Sequence, residues 1–356
     1  MRLAMITFAS VFAANVMSAS AQDTAPPPAL TAQTINEARL ESLIEAAAAS
    51  AAADAAEASA PAATDATDTN GIDEAPARPD PAMVRLQVLL DRIGASPGVI
   101  DGFAGDNVTK AVAAAEILTG LPVDGALDAE LIAALESGEP VVGSYTILPE
   151  DAADIGPPIP ADYAEMAARD FLGYESVAEG LAERFHMHED LLRALNPAAG
   201  FVPGEQILVA AYGPDRSGTV TRIEADKATR QLRAYDAEGR LVVAYPATIG
   251  SESNPSPSGI HTIEGVAPMP NYTYNPDINF QQGDNTETLI VPPGPNGPVG
   301  SMWIDLSEPT YGIHGTPEPA LIDKTSSHGC IRLTNWDAEE LSRMVSPGVE
   351  VEFVGG

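Results

Sequence analysis

The 356-residue sequence predicts a multidomain chain: a mainly β C-terminal domain, preceded by smaller modules and a disordered N-terminal tether. Three observations carry that expectation. Period-two alternation of apolar and polar residues recurs between Thr219 and Val354. Helical spacing of apolar residues dominates Met83 to Leu118, and residues 22–80 almost lack large apolar side chains.

In chain order, Met1 to Ala21 reads as a secretory signal. Arg2 is a minimal positive segment, Leu3 to Val16 is mostly apolar, and Ala19-Ser20-Ala21 offers small residues for cleavage before Gln22. The apolar run is short for a membrane span, so export to the periplasm without stable membrane insertion is expected. Residues 22–80 follow, rich in Ala, Pro, Thr and acidic side chains. Such a segment buries too little apolar surface to offset its ordering entropy, so a disordered linker is expected. A short solvated helix over Thr34 to Ala60, with Leu40, Leu43 and Ile44 on one face, is the alternative.

Residues 81–137 form the first folded unit. Met83, Leu86, Val88, Leu89, Leu90 and Ile93 fall at helical spacing, a second helix runs from Asn107 to Leu118, and Gly-rich turns follow each. The turn Asp101 to Gly105 and the Gly120-Leu-Pro-Val-Asp-Gly125 turn resemble the marks of the small three-helix PG-binding-1 domain. Where that family carries Phe-Gln on the second helix, this chain has Glu116-Ile117. Residues 144–210 end in a stretch similar to a divergent LysM module, with LAERF, LLRALNP and GEQILVA in the places of its two helices and closing strand. That resemblance implies a small α+β unit in which two helices cover a two-stranded sheet. His186 and His188 are two apart, which fits no helical metal pair, and are expected as exposed helix residues.

Residues 212–356 are the candidate catalytic unit. Strands are expected over Thr219–Ile223, Gln231–Tyr235, Leu241–Ile249, Gly259–Glu264 and Val349–Val354, with one helix over Asn335–Met344 capped by Asn335. The segment from Val266 to Pro293, rich in Pro, Asn, Tyr and Gly, reads as a long loop. Tyr272, Tyr274 and Trp303 are candidates to line a substrate channel there, with core packing the alternative.

The chemistry concentrates in Ile313 to Leu333, which holds the chain's single cysteine, Cys330, in Ser327-His328-Gly329-Cys330-Ile331-Arg332. A thiol needs an adjacent base or a positive field to act as a nucleophile near neutral pH. His314 and His328 are both candidates for that base, and Arg332 supplies a fixed positive charge. Gly329 allows a tight turn in which the amides of 329 and 330 face a developing oxyanion. A lone thiol in an exported chain excludes an intramolecular disulfide and suits acyl transfer through a thioester.

With its His314-Gly315-Thr316 and Ser-His-Gly-Cys-Ile-Arg motifs, this stretch resembles the active-site signature of the L,D-transpeptidase family of YkuD or ErfK type. The approach PPGPNGPVGSMWIDLSEPTYGIHGT and the turn Ser256-Pro-Ser-Gly259 extend the likeness. The resemblance implies a β-sandwich with a short helix beside the site. It implies that Cys330 attacks a peptidoglycan tetrapeptide stem, releases D-alanine, and passes the acyl group to an amine. It also implies that His314 is the base, oriented by a carbonyl such as that of Gly315, while His328 and Gly329 shape the oxyanion loop, Arg332 stabilises charge, and Ser327 contacts substrate. Where the family carries Ser-x-Gly, this chain has Leu321-Ile322-Asp323. Asp323 tolerates a left-handed backbone, and its charge is expected to raise the thiol pKa or reshape the donor pocket.

A net charge of −33 argues against nucleic acid and anionic headgroups as partners. No metal or cofactor is implied. The expected partner is peptidoglycan, with an outer-membrane protein, a stem amine or water as acyl acceptor. A non-catalytic wall-binding protein is the reading from a different class.

Overall fold

The computed structural model describes residues 29–58, 78–251, 254–278, 280–325 and 327–355. The proposed signal segment and residues 22–28 and 59–77 of the linker lie outside them.

The described part of the expected disordered tether is largely helical. Two helices, α1 (Ala32–Asn36) and α2 (Glu41–Ala58), occupy its described part, and Ile35 and Leu40 are completely buried against the next helix. The Asn36 side chain donates to Val142 O at 3.0 Å and accepts from the amides of Val141 and Val142. The alanine-rich average of residues 22–80 conceals this short apolar cluster, and a few buried aliphatics suffice to anchor one helix.

Helices α3 (Pro81–Arg92), α4 (Asp106–Thr119) and α5 (Ala129–Leu135) form the expected three-helix unit. Asp80 caps α3 with Pro81 at its first position, and Gly120 ends α4 in the left-handed conformation. Buried Gln87 accepts the amides of Asp101 and Gly102, fixing the first glycine turn. Glu116 is buried too, and its carboxylate accepts the amides of Asp124 and Gly125 in the second turn.

Strands β1 (Val142–Thr146) and β2 (Gln206–Ala210) pair antiparallel, and between them lie α6 (Tyr163–Ala167), α7 (Val177–Arg184) and α8 (Glu189–Leu195). Leu181, Leu191, Leu192 and Leu195 bury against the same core as α3 to α5, so the two modules share one hydrophobic interior.

The C-terminal unit is a nine-stranded sheet. Its strands are β3 (Arg222–Asp226), β4 (Gln231–Tyr235), β5 (Leu241–Pro246), β6 (Thr248–Ile249), β7 (Gly259–Pro268), β10 (Met302–Leu306), β11 (Gly312–His314), β12 (Ile331–Arg332) and β13 (Glu350–Val354). Strands β8 (Tyr272–Tyr274) and β9 (Leu289–Val291) pair separately, inside the expected long loop. The sheet order is β5-β4-β3-β13-β7-β10-β11-β12-β6. Only Ala247 separates β5 from β6, which lie at opposite ends of that order, so the sheet must fold round on itself. Long β7 makes the turn by pairing with β13 over its first half and β10 over its second. Ile223, Leu232, Val243, Ile304, Ile313, Ile331 and Val351 fill the interior. Helix α9 (Asn335–Ser342) packs against β10 and β11. Its cap is Thr334, whose hydroxyl accepts from Asp337 N, rather than Asn335.

The cores meet along β5. Ala95 bridges Ala244, and the Ser96 hydroxyl donates to the buried Asp337 carboxylate at 3.1 Å. His186 is not an exposed helix residue: it follows α7 with φ 57° and stacks between Tyr212 and Trp336, its Nδ1 2.8 Å from Asp91. His188 caps α8.

Candidate active site

Strands β11 and β12 run parallel, with Ile313 opposite Ile331 and His314 opposite Arg332. Side chains directly opposite share a face and alternate residues return to it. His314 and Arg332 therefore face one way, and Cys330 lies immediately before β12, two residues ahead of Arg332. The sixteen residues between the two strands are closed by this pairing, which brings the segment that ends in Cys330 back to the end of β11.

The His314 ring is buried, and its Nδ1 lies 2.7 Å from Gly315 O. A carbonyl only accepts, so Nδ1 carries the hydrogen and Nε2 is left as a lone-pair acceptor. Trp303 stacks on the ring with centroids 5.5 Å apart. Burial pushes the imidazole pKa down to about 3, helped by the Arg332 charge and opposed by the Gly315 carbonyl. Burial raises the Cys330 thiol, which the Gly312 backbone and Arg332 partly offset. The sulfur lies 3.7 Å from Thr310 O, a thiol donor contact. Both trends favour a neutral thiol beside a neutral imidazole at rest, not a preformed thiolate and imidazolium.

The loop before Cys330 is braced from beneath. Ser327 Oγ donates to Cys330 O and accepts from Gly250 N, both at 2.7 Å, and Ser327 is buried. That geometry makes it a brace rather than the expected substrate contact. Gly329 has φ 105°, and a Cβ there would fall 2.5 Å from the Tyr311 ring, so only glycine fits. His328 stacks on Phe280 at 3.9 Å, and burial with the Arg332 charge lowers its pKa.

Asp323 adopts φ 67°, as expected for a residue in the family's glycine position. Its charge is met by its own partners and is not among the causes that shift the Cys330 thiol. It is buried, paired with Lys110 of α4 and Arg230 Nη1, and its amide donates to Thr248 Oγ1 at 2.9 Å. The aspartate thus ties the segment before the cysteine loop to the helical module.

The channel candidates divide. Tyr274 is completely buried, its hydroxyl accepting from Gln282 N, so it supports the loop and is unavailable to substrate. Tyr272 is half-buried; burial raises its pKa first, then the charges of Tyr163 and Cys330. Sequence reasoning missed Tyr163. It leads α6, meets Tyr272 and Tyr274 edge-on at 5.9 and 5.4 Å, and burial pushes its pKa up to about 12 against the pull of Arg332. Nothing local in residues 157–171 signals this; it follows from the docking of α6 on β9.

Residues 220–353 match the L,D-transpeptidase catalytic domain, YkuD, and residues 79–135 match a domain described as "Putative peptidoglycan binding domain". The chain is 31% identical over 177 residues to "Putative L,D-transpeptidase YkuD" of Bacillus licheniformis, covering 49% of this chain and 92% of that protein. It is 31% identical over 169 residues to "Probable L,D-transpeptidase ErfK/SrfK" of Escherichia coli, covering 45% of this chain and 53% of the other. The chain belongs to the L,D-transpeptidase family.

Proposed function

We propose that the chain is a cysteine-dependent acyltransferase acting on peptidoglycan tetrapeptide stems. The observation that supports this is the β11/β12 register, which sets Arg332 opposite His314 just after Cys330, with His314 Nδ1 held by Gly315 O. Cys330 Sγ attacks the stem carbonyl before the terminal D-alanine while its proton passes to His314 Nε2. The carbonyl oxygen becomes an oxyanion facing the amides of Gly329 and Cys330, with Arg332 adding positive potential. Collapse breaks the C–N bond, His314 returns the proton to the leaving D-alanine amine, and a thioester remains. An acceptor amine then attacks, giving up its proton through His314, and the thiol is regenerated with a new amide.

The acceptor is a neighbouring stem amine, giving a 3-3 cross-link, or an amine of an outer-membrane protein. The peptidoglycan-binding domain match at 79–135 supports a wall substrate. The two-stranded sheet with α7 and α8 supports the LysM reading of 144–210. The sequence of Met1 to Ala21 supports export to the periplasm, and among the described residues no helix is long and apolar enough to cross a membrane.

Mass spectrometry after incubation with disaccharide tetrapeptide tests the reading. A cross-linked dimer lacking one D-alanine, absent with Cys330→Ala, is expected. D-alanine loss without a dimer would make water the acceptor, and no adduct at Cys330 would sink the enzyme reading for this substrate.

A further inference from the structure

Residues 172–183 of the accessory module lie against the chain's approach to His314. Leu172 N donates to Pro293 O at 2.9 Å and Asn296 N donates to Leu172 O at 3.1 Å. Asn296 Nδ2 donates to Glu179 Oε1 at 2.6 Å and to Gly173 O at 3.2 Å. Deepest in this contact is Glu183, in the last turn of α7 and 7% exposed. Its Oε2 accepts from Asn335 Nδ2 at 2.8 Å, and the same nitrogen reaches Pro295 O at 3.2 Å.

The other end of the Asn335 amide serves the site. Asn335 Oδ1 accepts from Ser301 N at 3.1 Å and from Thr316 N at 3.0 Å. A carboxyl oxygen and a carbonyl on one side, and two backbone amides on the other, leave a single orientation for the amide. The fit is close: a Cβ at Gly300 or Gly315 would fall 2.0 or 2.1 Å from that oxygen. Thr334 does the capping of α9, so the Asn335 side chain is free for this bridge. The carbonyl that holds His314 Nδ1 belongs to Gly315, between the histidine and the amide that Asn335 grips.

We propose that Glu183 is a positioning residue for the transpeptidase site: through Asn335 it fixes the Gly315–Thr316 turn and so holds His314 with its hydrogen on Nδ1. Glu183 touches no reacting atom and acts across a module boundary. Tyr174, whose hydroxyl lies 3.5 Å from Glu183 Oε2, and the carboxylates of Glu179 and Glu339 also face it. Burial raises its pKa to about 8, so the contact persists with a neutral carboxyl, whose carbonyl oxygen still accepts from Asn335. The consequence for rate rests on His314 being the base; the consequence for its tautomer does not.

The test uses the intact chain with 15N-labelled histidine. Long-range 1H–15N NMR reads the His314 tautomer, and mass spectrometry follows acylation of Cys330 by a carbapenem. The wild type is expected to show the Nδ1–H form. Glu183→Ala is expected to lose it to a mixture and to slow acylation about ten- to hundredfold, with half-saturation little changed. Glu183→Gln, which keeps an acceptor oxygen, is expected to restore both. A folded Glu183→Ala with wild-type tautomer and rate would overturn the proposal, as would Glu183→Gln no better than alanine. Should Glu183→Ala not fold, Asn335→Ser breaks the same bridge from the catalytic side, and an unchanged tautomer there overturns it. Acylation absent in the wild type, with a tautomer that still responds, would refute the Cys330 chemistry alone.

Discussion

At Cys330 and His314, burial opposes ionisation of both groups, so in the proposed mechanism proton transfer accompanies attack rather than preceding it. The sign for activity follows directly. With its pKa lowered to about 3, His314 is already deprotonated throughout the range above about pH 5, so carbapenem acylation should show no activation limb near the ordinary imidazole value. Iodoacetamide labelling of Cys330 should rise only above the usual thiol range. A clear inflection between about pH 6 and 7 in the acylation rate would contradict this assignment. His314→Gln should reduce acylation by about 10²- to 10⁴-fold, the usual span for a general base. Gly329→Ala meets both an unfavourable φ and the Tyr311 ring, and should lower stability by about 1–3 kcal/mol and abolish acylation, read by thermal melting and mass spectrometry.

At the level of elements, short strands depend on braces. β6 and β12 have two residues each, and Ser327 joins the ends that follow and precede them. Ser327→Ala strands the Gly250 amide, for a cost of about 1–3 kcal/mol in urea denaturation, with slower acylation. The motif residues Cys330, His314, Gly329 and Arg332 stand out in the sequence because their flanks are distinctive, and their roles belong to the proposed mechanism. β4 was legible to the residue, since clean alternation marks a half-buried strand. β11 and β12 were not, being three and two residues long, and β10 was hidden behind a stretch rich in Pro and Gly. Tyr163, Glu183 and Asn335 were illegible for a different reason: each draws its role from a partner more than 100 residues away. Asn335 was read as a cap because its position beside Thr334 satisfies the same local rule.

Over the whole molecule, the modules are joined by buried polar contacts. Lys110→Ala leaves Asp323 with Arg230 alone, and should cost about 1–3 kcal/mol while loosening residues 319–325, seen as faster amide exchange there. The joint also carries a pH dependence. Glu183 titrates near 4.5 when unfolded and about 8 when folded, and burial raises Asp337 as well. Between those values the native state holds a proton that the unfolded chain has lost. The contribution is therefore full below about pH 4.5 and fades as pH rises through about 8. Melting temperature should fall from pH 5 to 8, and Glu183→Gln should flatten part of that slope; an unchanged slope would place the titration elsewhere.

The Glu183–Asn335 and Lys110–Asp323 contacts have a consequence for descent. Two units that meet through reciprocal buried partners cannot be exchanged by recombination as independent cassettes. A crossover near Tyr212 that brings in a foreign N-terminal half leaves Asn335 and Asp323 without their matching side chains. Lineages carrying this arrangement should therefore inherit the helical, α+β and catalytic parts as one block, with these four positions changing together.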